Sequence, residues 1–129
     1  MKPNRFELAN LCGCEPDDEI ACVDGAMRLV ADGIEHVMLS LGAYGAIYLG
    51  KDFALRAAGL KVPVVGRSGA GDAMMAALVL GLIRGLNPED RLRYAVAAAS
   101  AKIMVPGTQP PEEQQVQALL DKVIVKSMA

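Results

Sequence analysis

The feature that most constrains the fold is a strand-like run that leads through a small-residue turn into an apolar helix. The run covers residues 61–65, the turn is Gly69-Ala70-Gly71, and the helix then continues without a charge from Ala73 to Ile83. Small residues let a ligand approach the backbone closely, and the first amides of a helix have no partner within it. Together with the positive end of the helix dipole, those amides predict an anion-binding site.

A single acid, Asp72, stands at the start of this helix. A carboxylate there would repel a bound phosphate, so a site that only binds phosphate gains nothing from it. The acid is useful if it faces a hydroxyl group that attacks the phosphate, which is the geometry of a kinase. From the spacing alone, a tight strand-to-helix turn with Asp72 as an ordinary first-turn acid remains open.

Two other phosphate-binding motifs fit this turn poorly. A P-loop requires Gly-x4-Gly-Lys-Ser/Thr, which occurs nowhere in the chain. The dinucleotide-binding fingerprint requires a third glycine where this chain has Met74, and no first strand of a βαβ unit precedes the turn. A dinucleotide-binding oxidoreductase fragment therefore remains only as a rival interpretation, which binding of NAD(H) but not of ATP would favour.

Size and composition favour one small domain without nucleic-acid or membrane partners. A chain of 129 residues can form a real core, and its 53% of hydrophobic residues is high, partly because its helices are rich in alanine. Lysine and arginine number 13 against 15 acids with no basic patch, which argues against nucleic acid as a partner. The apolar run to Ile83 is too short to span a bilayer. Since the N-terminus does not resemble a signal or transit peptide, we expect a cytoplasmic protein.

The cysteines and the single histidine do not predict a metal site. Cys12, Cys14 and Cys22 are followed by no cysteine or histidine pair at zinc-site spacing. We expect reduced thiols that are buried or half-buried. His36 directly precedes a predicted strand and is expected at the boundary between surface and core.

Helices and strands are predicted to mix in an α/β order, with an antiparallel hairpin near the middle. The predicted strands are 37–41, 46–49, 53–57 and 61–65. The predicted helices run from Asn4 to about Leu11, over about 15–31, from the Gly69 turn to Ile83, from Asn87 to about Met104, and onwards from Pro110. Two helices have a predicted core face: Ile20, Val23, Met27, Val30 and Ala31 in the second, and Val116, Leu119, Leu120, Val123 and Ile124 in the last.

Four stretches, in the correct order, resemble signature regions of the PfkB/ribokinase family of carbohydrate kinases. They are 2–8, 37–45, the turn and helix that begin with 69–73, and 94–107 with Pro106-Gly107-Thr108 at its end. The opening Lys-Pro-Asn and the closing alanine block are most similar to the phosphosugar branch. That branch holds 1-phosphofructokinases, PfkB-type 6-phosphofructokinases and tagatose-6-phosphate kinases. The resemblance covers nearly the whole chain.

The resemblance implies a role for each residue at the turn. Asp72 is similar to the base that takes the proton from the sugar hydroxyl, and the amides of Gly69, Ala70 and Gly71 resemble the site that holds the transferring phosphoryl group. Glu7, with Asn4, matches an Asn-x-x-Glu motif that is implicated in placing Mg²⁺. The implied cofactors are thus ATP and Mg²⁺.

The resemblance also implies a nucleotide site formed by residues that are distant in the sequence. Lys2 and Asn4 align near the nucleotide phosphates, and the turn over 40–45 aligns with a nucleotide-binding turn whose glycines let the backbone approach. The site residues on that turn and on the alanine-rich helix are Ser40, Leu41, Gly42, Gly45, Val96 and Ser100. For Ser40 and Ser100, a capped strand end and a small helix contact remain open.

The chain departs from the family pattern directly before the turn. Gly66, Arg67 and Ser68 stand where family members usually have an Asp or Ser, a Thr, and a Val or Thr. The first of these positions often takes part in a monovalent-cation site, so the departure puts a dependence on K⁺ in doubt. Arg67 is open to three interpretations: it replaces that cation, it contacts a phosphate, or it is a solvated loop residue.

Residues 1–129 are similar to the C-terminal part of a family member, which implies the C-terminal portion of a ribokinase-like three-layer α/β sandwich. The implied activity is ATP-dependent phosphorylation of a sugar phosphate at a primary hydroxyl. Since the sugar-binding and lid portion is absent, we expect the chain alone to be inactive, and to form a homo-oligomer or associate with a missing N-terminal part. The alternatives are an inactive nucleotide-binding module and a kinase for another family substrate, such as ribose or a nucleoside.

Overall fold

A computed structural model describes residues 1–107 and 109–128 of the chain; Thr108, at the end of the fourth signature stretch, lies outside them. The described helices are α1 (Arg5–Cys12), α2 (Glu19–Ala31), α3 (Ala70–Ile83), α4 (Pro88–Ile103) and α5 (Glu113–Leu120). The described strands are β1 (Val37–Ser40), β2 (Ala46–Gly50), β3 (Phe53–Ala57) and β4 (Val125–Ser127), with a 3₁₀ turn at Gly42–Tyr44.

The helix starts form where capping residues were predicted. The Asn4 side chain accepts the Glu7 amide at 2.8 Å, and the Glu7 carboxylate accepts the Asn4 amide at 3.0 Å, which is a capping box. Asn87 caps α4 by accepting the amide of Asp90, and Pro88 occupies the first turn. The predicted starts of both helices are therefore confirmed.

The four strands pair antiparallel in the order of the chain, β1-β2-β3-β4. The N-terminal residues add a parallel neighbour at the free edge of β1. The Met38 amide donates to the Met1 carbonyl at 2.9 Å, the Ser40 amide donates to the Pro3 carbonyl at 3.0 Å, and Asn4 forms a parallel bridge with Ser40. Both segments therefore end at the same edge of the sheet.

Side chains alternate between the two faces of the sheet, and helices cover both. One face, with Met38 and Tyr48, packs against α3, α4 and α5. The other face, with Leu39 and Ile47, packs against α1 and α2. The predicted three-layer α/β architecture is confirmed.

The strand predicted at 61–65 is wrong, and β4 was not predicted. Beyond β3 the chain leaves the sheet, and Val65 is 60% exposed. The amides of Val65 and Gly66 both donate to the Ile103 carbonyl, which lies at the end of α4. A β-rich run forms a strand only where a neighbour offers a ladder of partners, and α4 offers one carbonyl. β4 has three residues, too few to show a period.

The core face predicted for α2 is wrong in part. Ile20 is 78% exposed and Met27 is also exposed, whereas the buried residues are Cys22, Gly25 and Ala26. Small residues occupy the core side because α2 packs closely on α1. A Cβ atom on Gly25 would lie 3.0 Å from the Cys12 Sγ atom. Periodicity of large apolar residues does not detect such a close contact between helices.

The core stripe predicted around α5 is mostly confirmed. Val116, Leu119 and Val123 are buried, and Leu120 is partly buried against the same core. Ile124 lies beyond the end of the helix and is exposed. The stripe therefore ends where the helical period ends.

The apolar helix α3 is only partly covered. Met74, Ala77, Leu78 and Gly81 are buried, largely against α4, whereas the exposed large residues are Val79, Leu80, Leu82 and Ile83. An apolar surface of this kind is typical of a contact with another protein surface or another part of the same protein. The oligomer or missing partner stays a prediction.

The three cysteines are free thiols, as predicted. Cys22 is buried, Cys12 and Cys14 are half-buried, and the Sγ atoms of Cys14 and Cys22 are 3.8 Å apart. Burial, followed by the hydrogen bond with Cys14, raises the pKa of the Cys22 thiol to about 11. This thiol therefore stays protonated at neutral pH.

His36 lies at the edge of the core, as predicted, within a polar chain. Arg91 donates to the Tyr48 hydroxyl oxygen at 2.9 Å, and that hydroxyl lies 2.9 Å from the His36 Nδ1 atom. Since arginine only donates, the Tyr48 hydroxyl is free to donate to Nδ1, which requires a histidine without a proton on that atom. Burial and, next, the positive charge of Arg91 lower the pKa of His36 below 6.5.

We therefore expect the fold to lose stability as the pH falls below 6.5. The unfolded chain takes up the proton first, so the contribution of His36 is present above 6.5 and is lost in the acidic window below it. His36→Asn offers Tyr48 an acceptor that does not titrate. Its thermal midpoint should decline less than that of the native chain between about pH 7.5 and about pH 5. Parallel declines would show that His36 is not responsible.

Candidate active site

The first turn of α3 has free backbone donors. Gly69 precedes the helix in the left-handed conformation, with φ +83°, and no side chain caps the helix. The Gly69 carbonyl accepts the Ala73 amide at 2.9 Å, which is the first hydrogen bond of the helix. The amides before Ala73 therefore point out of the helix, where an anion can accept them.

A large cleft of about 1010 Å³ opens on one side of this turn. It lies between the ends of β1 and of the N-terminal segment, the segment 59–64, and the helices α3 and α4. Eight of the predicted site residues line it: Asn4, Ser40, Gly42, Gly45, Ala70, Gly71, Val96 and Ser100. We call it the first cleft.

One wall of the first cleft is apolar. It is formed by side chains from α4 and from the segment after β3, which are Val62, Val64, Val96, Ala99 and Ile103. The segment that was predicted to be a strand therefore serves as a wall. An apolar slot with a few polar groups at one end suits a flat aromatic base attached to a charged tail.

Sequence reasoning missed two residues at the rim of this cleft. The Arg5 guanidinium lies 5.9 Å from the centre of the Tyr44 ring, and both residues line the cleft. Tyr44 is 67% exposed. The signal was present in the sequence, because an aromatic residue between two turn glycines has little reason to be there unless it covers a ligand.

Two glycines bring the backbone segments at the base of the first cleft into contact. Gly45 has φ +105°, and a Cβ atom there would collide with the carbonyl oxygen of Ala57. A Cβ atom on Gly59 would collide with the carbonyl oxygen of Ala43. Gly45 was predicted from the turn, whereas Gly59 was not recognised.

A second cleft of about 520 Å³ opens on the other side of the turn. Asp72 and Gly69 line it, together with Ser68, Lys102 and Gly107. Asp72 is exposed, so its carboxylate is accessible to a ligand. The first turn of α3 therefore stands between two clefts, with Ala70 and Gly71 on one side and Gly69 and Asp72 on the other.

Three predicted residues line neither cleft. Leu41 is buried, and its amide donates to the Gly45 carbonyl at 2.9 Å, so it holds the turn together. The Lys2 Nζ atom lies 3.1 Å from the position of a Cβ atom on Gly71, which puts its charge beside the first turn of α3. Glu7 is exposed and engaged in the capping box with Asn4.

Lys102 was not recognised from the sequence, although it lies against the turn. Its Nζ atom donates to the Gly107 carbonyl at 2.8 Å and is 3.7 Å from the position of a Cβ atom on Gly69. A lone lysine in an alanine-rich helix is typical of a solvated surface, and its spacing gave no other signal. Arg67, in contrast, is exposed and lines the first cleft.

Comparisons with known proteins agree with the resemblance in the sequence. The pfkB family of carbohydrate kinases matches residues 1–115. A 1-phosphofructokinase of Haloferax volcanii is 42% identical over 115 residues, which is 89% of this chain and 38% of that protein. The chain therefore spans about two fifths of the length of the curated relatives that it matches.

Solved structures of kinases share the fold. Phosphofructokinase-2 from Escherichia coli in complex with potassium has a TM-score of 0.88 at 29% identity, over 94% of this chain and 40% of that one. Ribokinase of Arabidopsis thaliana, complexed with ribose and ATP, has a TM-score of 0.83 at 28% identity, over 92% of this chain and 39% of that one. In the part of the chain that the structure describes, no helix has the length and hydropathy to cross a membrane.

Proposed function

Because the chain belongs to the pfkB family of carbohydrate kinases, we propose that it binds ATP in the first cleft and carries the phosphoryl-transfer centre of a sugar-phosphate kinase. The observation that supports this most is the position of the α3 turn between two clefts. Its amides border the cleft with the apolar slot, and its carboxylate lies on the other side. A phosphoryl group held at the turn would thus have the nucleotide on one side and a base on the other.

The chemistry follows from this arrangement. The Asp72 carboxylate takes the proton of the acceptor hydroxyl, whose oxygen bonds to the γ-phosphorus of ATP. The bond between that phosphorus and the β,γ-bridging oxygen breaks, and ADP leaves. The amides at the start of α3 hold the charged oxygens of the transferring group throughout, which is the main task in phosphoryl transfer.

Mg²⁺ supplies charge neutralisation on the nucleotide phosphates when it is bound, and the residues present fit it. The ion keeps several waters and needs only one or two carboxylates beside the phosphates, so the lack of a three-ligand cluster among the described residues is no obstacle. Glu7 uses its Oε1 atom in the capping box. Its Oε2 atom remains for a water of the ion.

For the acceptor, we propose a phosphorylated ketohexose that reacts at a primary hydroxyl, as in phosphofructokinases and tagatose-6-phosphate kinases. The curated relatives at 30–42% identity are 1-phosphofructokinases, which supports this branch over a ribose or nucleoside kinase. The chain alone spans about two fifths of such an enzyme. This favours the second candidate for the isolated chain, a nucleotide-binding module without turnover of its own.

Gly71→Asp tests nucleotide binding in the isolated chain. An acid in the first turn of α3 favours the helix, since it replaces glycine and complements the dipole, so the thermal midpoint should hold or rise. The same carboxylate occupies the place proposed for phosphate, so the affinity for ATP in calorimetry should fall by at least about tenfold.

Gln114→Asp is the matched control, because it puts the same acid in the first turn of α5, away from both clefts. It should leave the affinity for ATP unchanged. Failure of the native chain to bind ATP would overturn the proposal, and binding of NAD(H) in its place would revive the oxidoreductase interpretation. ADP release with a phosphosugar in a coupled assay would show that the chain alone is active.

A further inference from the structure

Lys102 is a buried cation at the turn where the proposed reaction takes place. The residue is only 6% exposed and lies near the end of α4. Its Nζ atom donates to the Gly107 carbonyl, just beyond that helix. Its Cε atom lies 3.1 Å from the position of a Cβ atom on Gly69, so the side chain passes directly beneath the start of α3. The ammonium group therefore links the loops at the two helix ends.

The charge of this ammonium group is not neutralised by an ion pair. In residues 1–107 and 109–128, no carboxylate lies within 4.0 Å of Nζ. Burial of an unpaired charge is costly, and lysine is almost never buried without a partner. The side chain lines the second cleft with Asp72 and Ser68. Such a cost is typical of a functional site, where the charge acts on a ligand.

We propose that Lys102 is a built-in monovalent cation for the phosphoryl-transfer turn. An ammonium group and a potassium ion carry the same charge, are similar in size and are both bound by carbonyl oxygens. Held on the Gly107 carbonyl beside Gly69, the ammonium group adds its charge to the positive end of α3. It also offsets the repulsion between Asp72 and a phosphoryl group. The turn consequently needs no free potassium ion.

This inference rests on the proposed function for the value of the charge, but not for its existence. Exposed Arg67 on the first cleft is a poorer candidate for the same task, because a guanidinium in solvent keeps its hydration and is screened. Lys102 is a positioning residue, since it acts through the loops and the helix end that it holds. Two substitutions separate its charge from its hydrogen bond.

Lys102→Ala removes the ammonium group and leaves a space lined by the Gly107 carbonyl. A potassium or ammonium ion should enter that space, and a ligand that binds only the folded state stabilises it. At about 200 mM, KCl should raise the thermal midpoint of this variant by about 3 °C relative to tetramethylammonium chloride, whose cation is too large to enter. The native chain should show no difference between the two salts.

Lys102→Gln keeps an N–H donor for the Gly107 carbonyl but carries no charge, so it provides a second test if the alanine variant does not fold. Its affinity for ATP in calorimetry should be about fivefold weaker than that of the native chain, on the scale of one charge at a helix end. Potassium should not restore this affinity, because the glutamine fills the space.

The two readouts keep the two proposals distinguishable. If the native chain does not bind ATP, the proposed function fails, whereas the salt test of Lys102→Ala still decides the cation proposal through stability alone. The cation proposal is overturned if Lys102→Ala responds equally to both salts. It is also overturned if Lys102→Gln binds ATP as tightly as the native chain, since charge would then be irrelevant.

Discussion

Asp72→Asn is expected to lower turnover about a thousandfold while the dissociation constant for ATP changes less than about twofold. The amide cannot take the proton of the acceptor hydroxyl, so the loss falls on the chemical step. ATP is bound on the other side of the turn, where Ala70 and Gly71 line the first cleft. Asparagine is similar in size to aspartate, and residue 72 is exposed, so the fold is retained.

The measurement needs an active enzyme, which a chimera can supply. The remainder of the 1-phosphofructokinase of Haloferax volcanii, placed before Met1, would add the portion of the family fold that this chain does not span. Asp24→Asn is the matched control, because that carboxylate is exposed on α2 and lines neither cleft. Equal losses in turnover and in affinity for ATP would mean that Asp72 is structural.

Gly45→Ala is expected to destabilise the fold by more than about 3 kcal/mol and to abolish ATP binding at ordinary concentrations. The added Cβ atom collides with the carbonyl oxygen of Ala57, which is backbone and cannot rotate away. The left-handed φ of +105° adds strain for any residue other than glycine. Relief would require the turn to part from the chain beyond β3, and the first cleft would lose its base.

Gly13→Ala separates the two effects. Gly13 also has a positive φ, +71°, but a Cβ atom there meets nothing within 4 Å, so it carries the conformational strain without the collision. We expect a loss of about 1 kcal/mol for this variant in urea unfolding. Similar losses for the two variants would show that the contact of Gly45 with Ala57 does not determine the turn.

The sequence predicted those parts of the fold that have a local physical cause. The capping box of Asn4 and Glu7, and the Asn87-Pro88 start of α4, satisfy helix donors with neighbours in the chain. Residues 61–65 failed as a strand because strand formation depends on a partner that no local pattern names. Ile20 failed as a core residue because the close approach of α2 to α1 assigns the core side to small residues.

The candidate site divides in the same way. Eight of the residues assigned from the resemblance to a known family line one cleft, because a shared motif preserves the backbone geometry that brings them together. Lys102 lies 33 positions after Gly69, and nothing in its own surroundings announces that the end of α4 returns to the start of α3. Arg5 and Tyr44 likewise meet only in three dimensions.

The parallel pairing of the N-terminal residues with β1 has a consequence for the origin of the sugar contacts. Both segments run towards the rim of the first cleft, where Asn4 and Ser40 are neighbours. Any further strand that extends the sheet there in the same direction would bring the residues following it to this rim as well. Acceptor-binding groups are then to be sought on segments that succeed such strands, and the sheet recruits specificity by growing sideways.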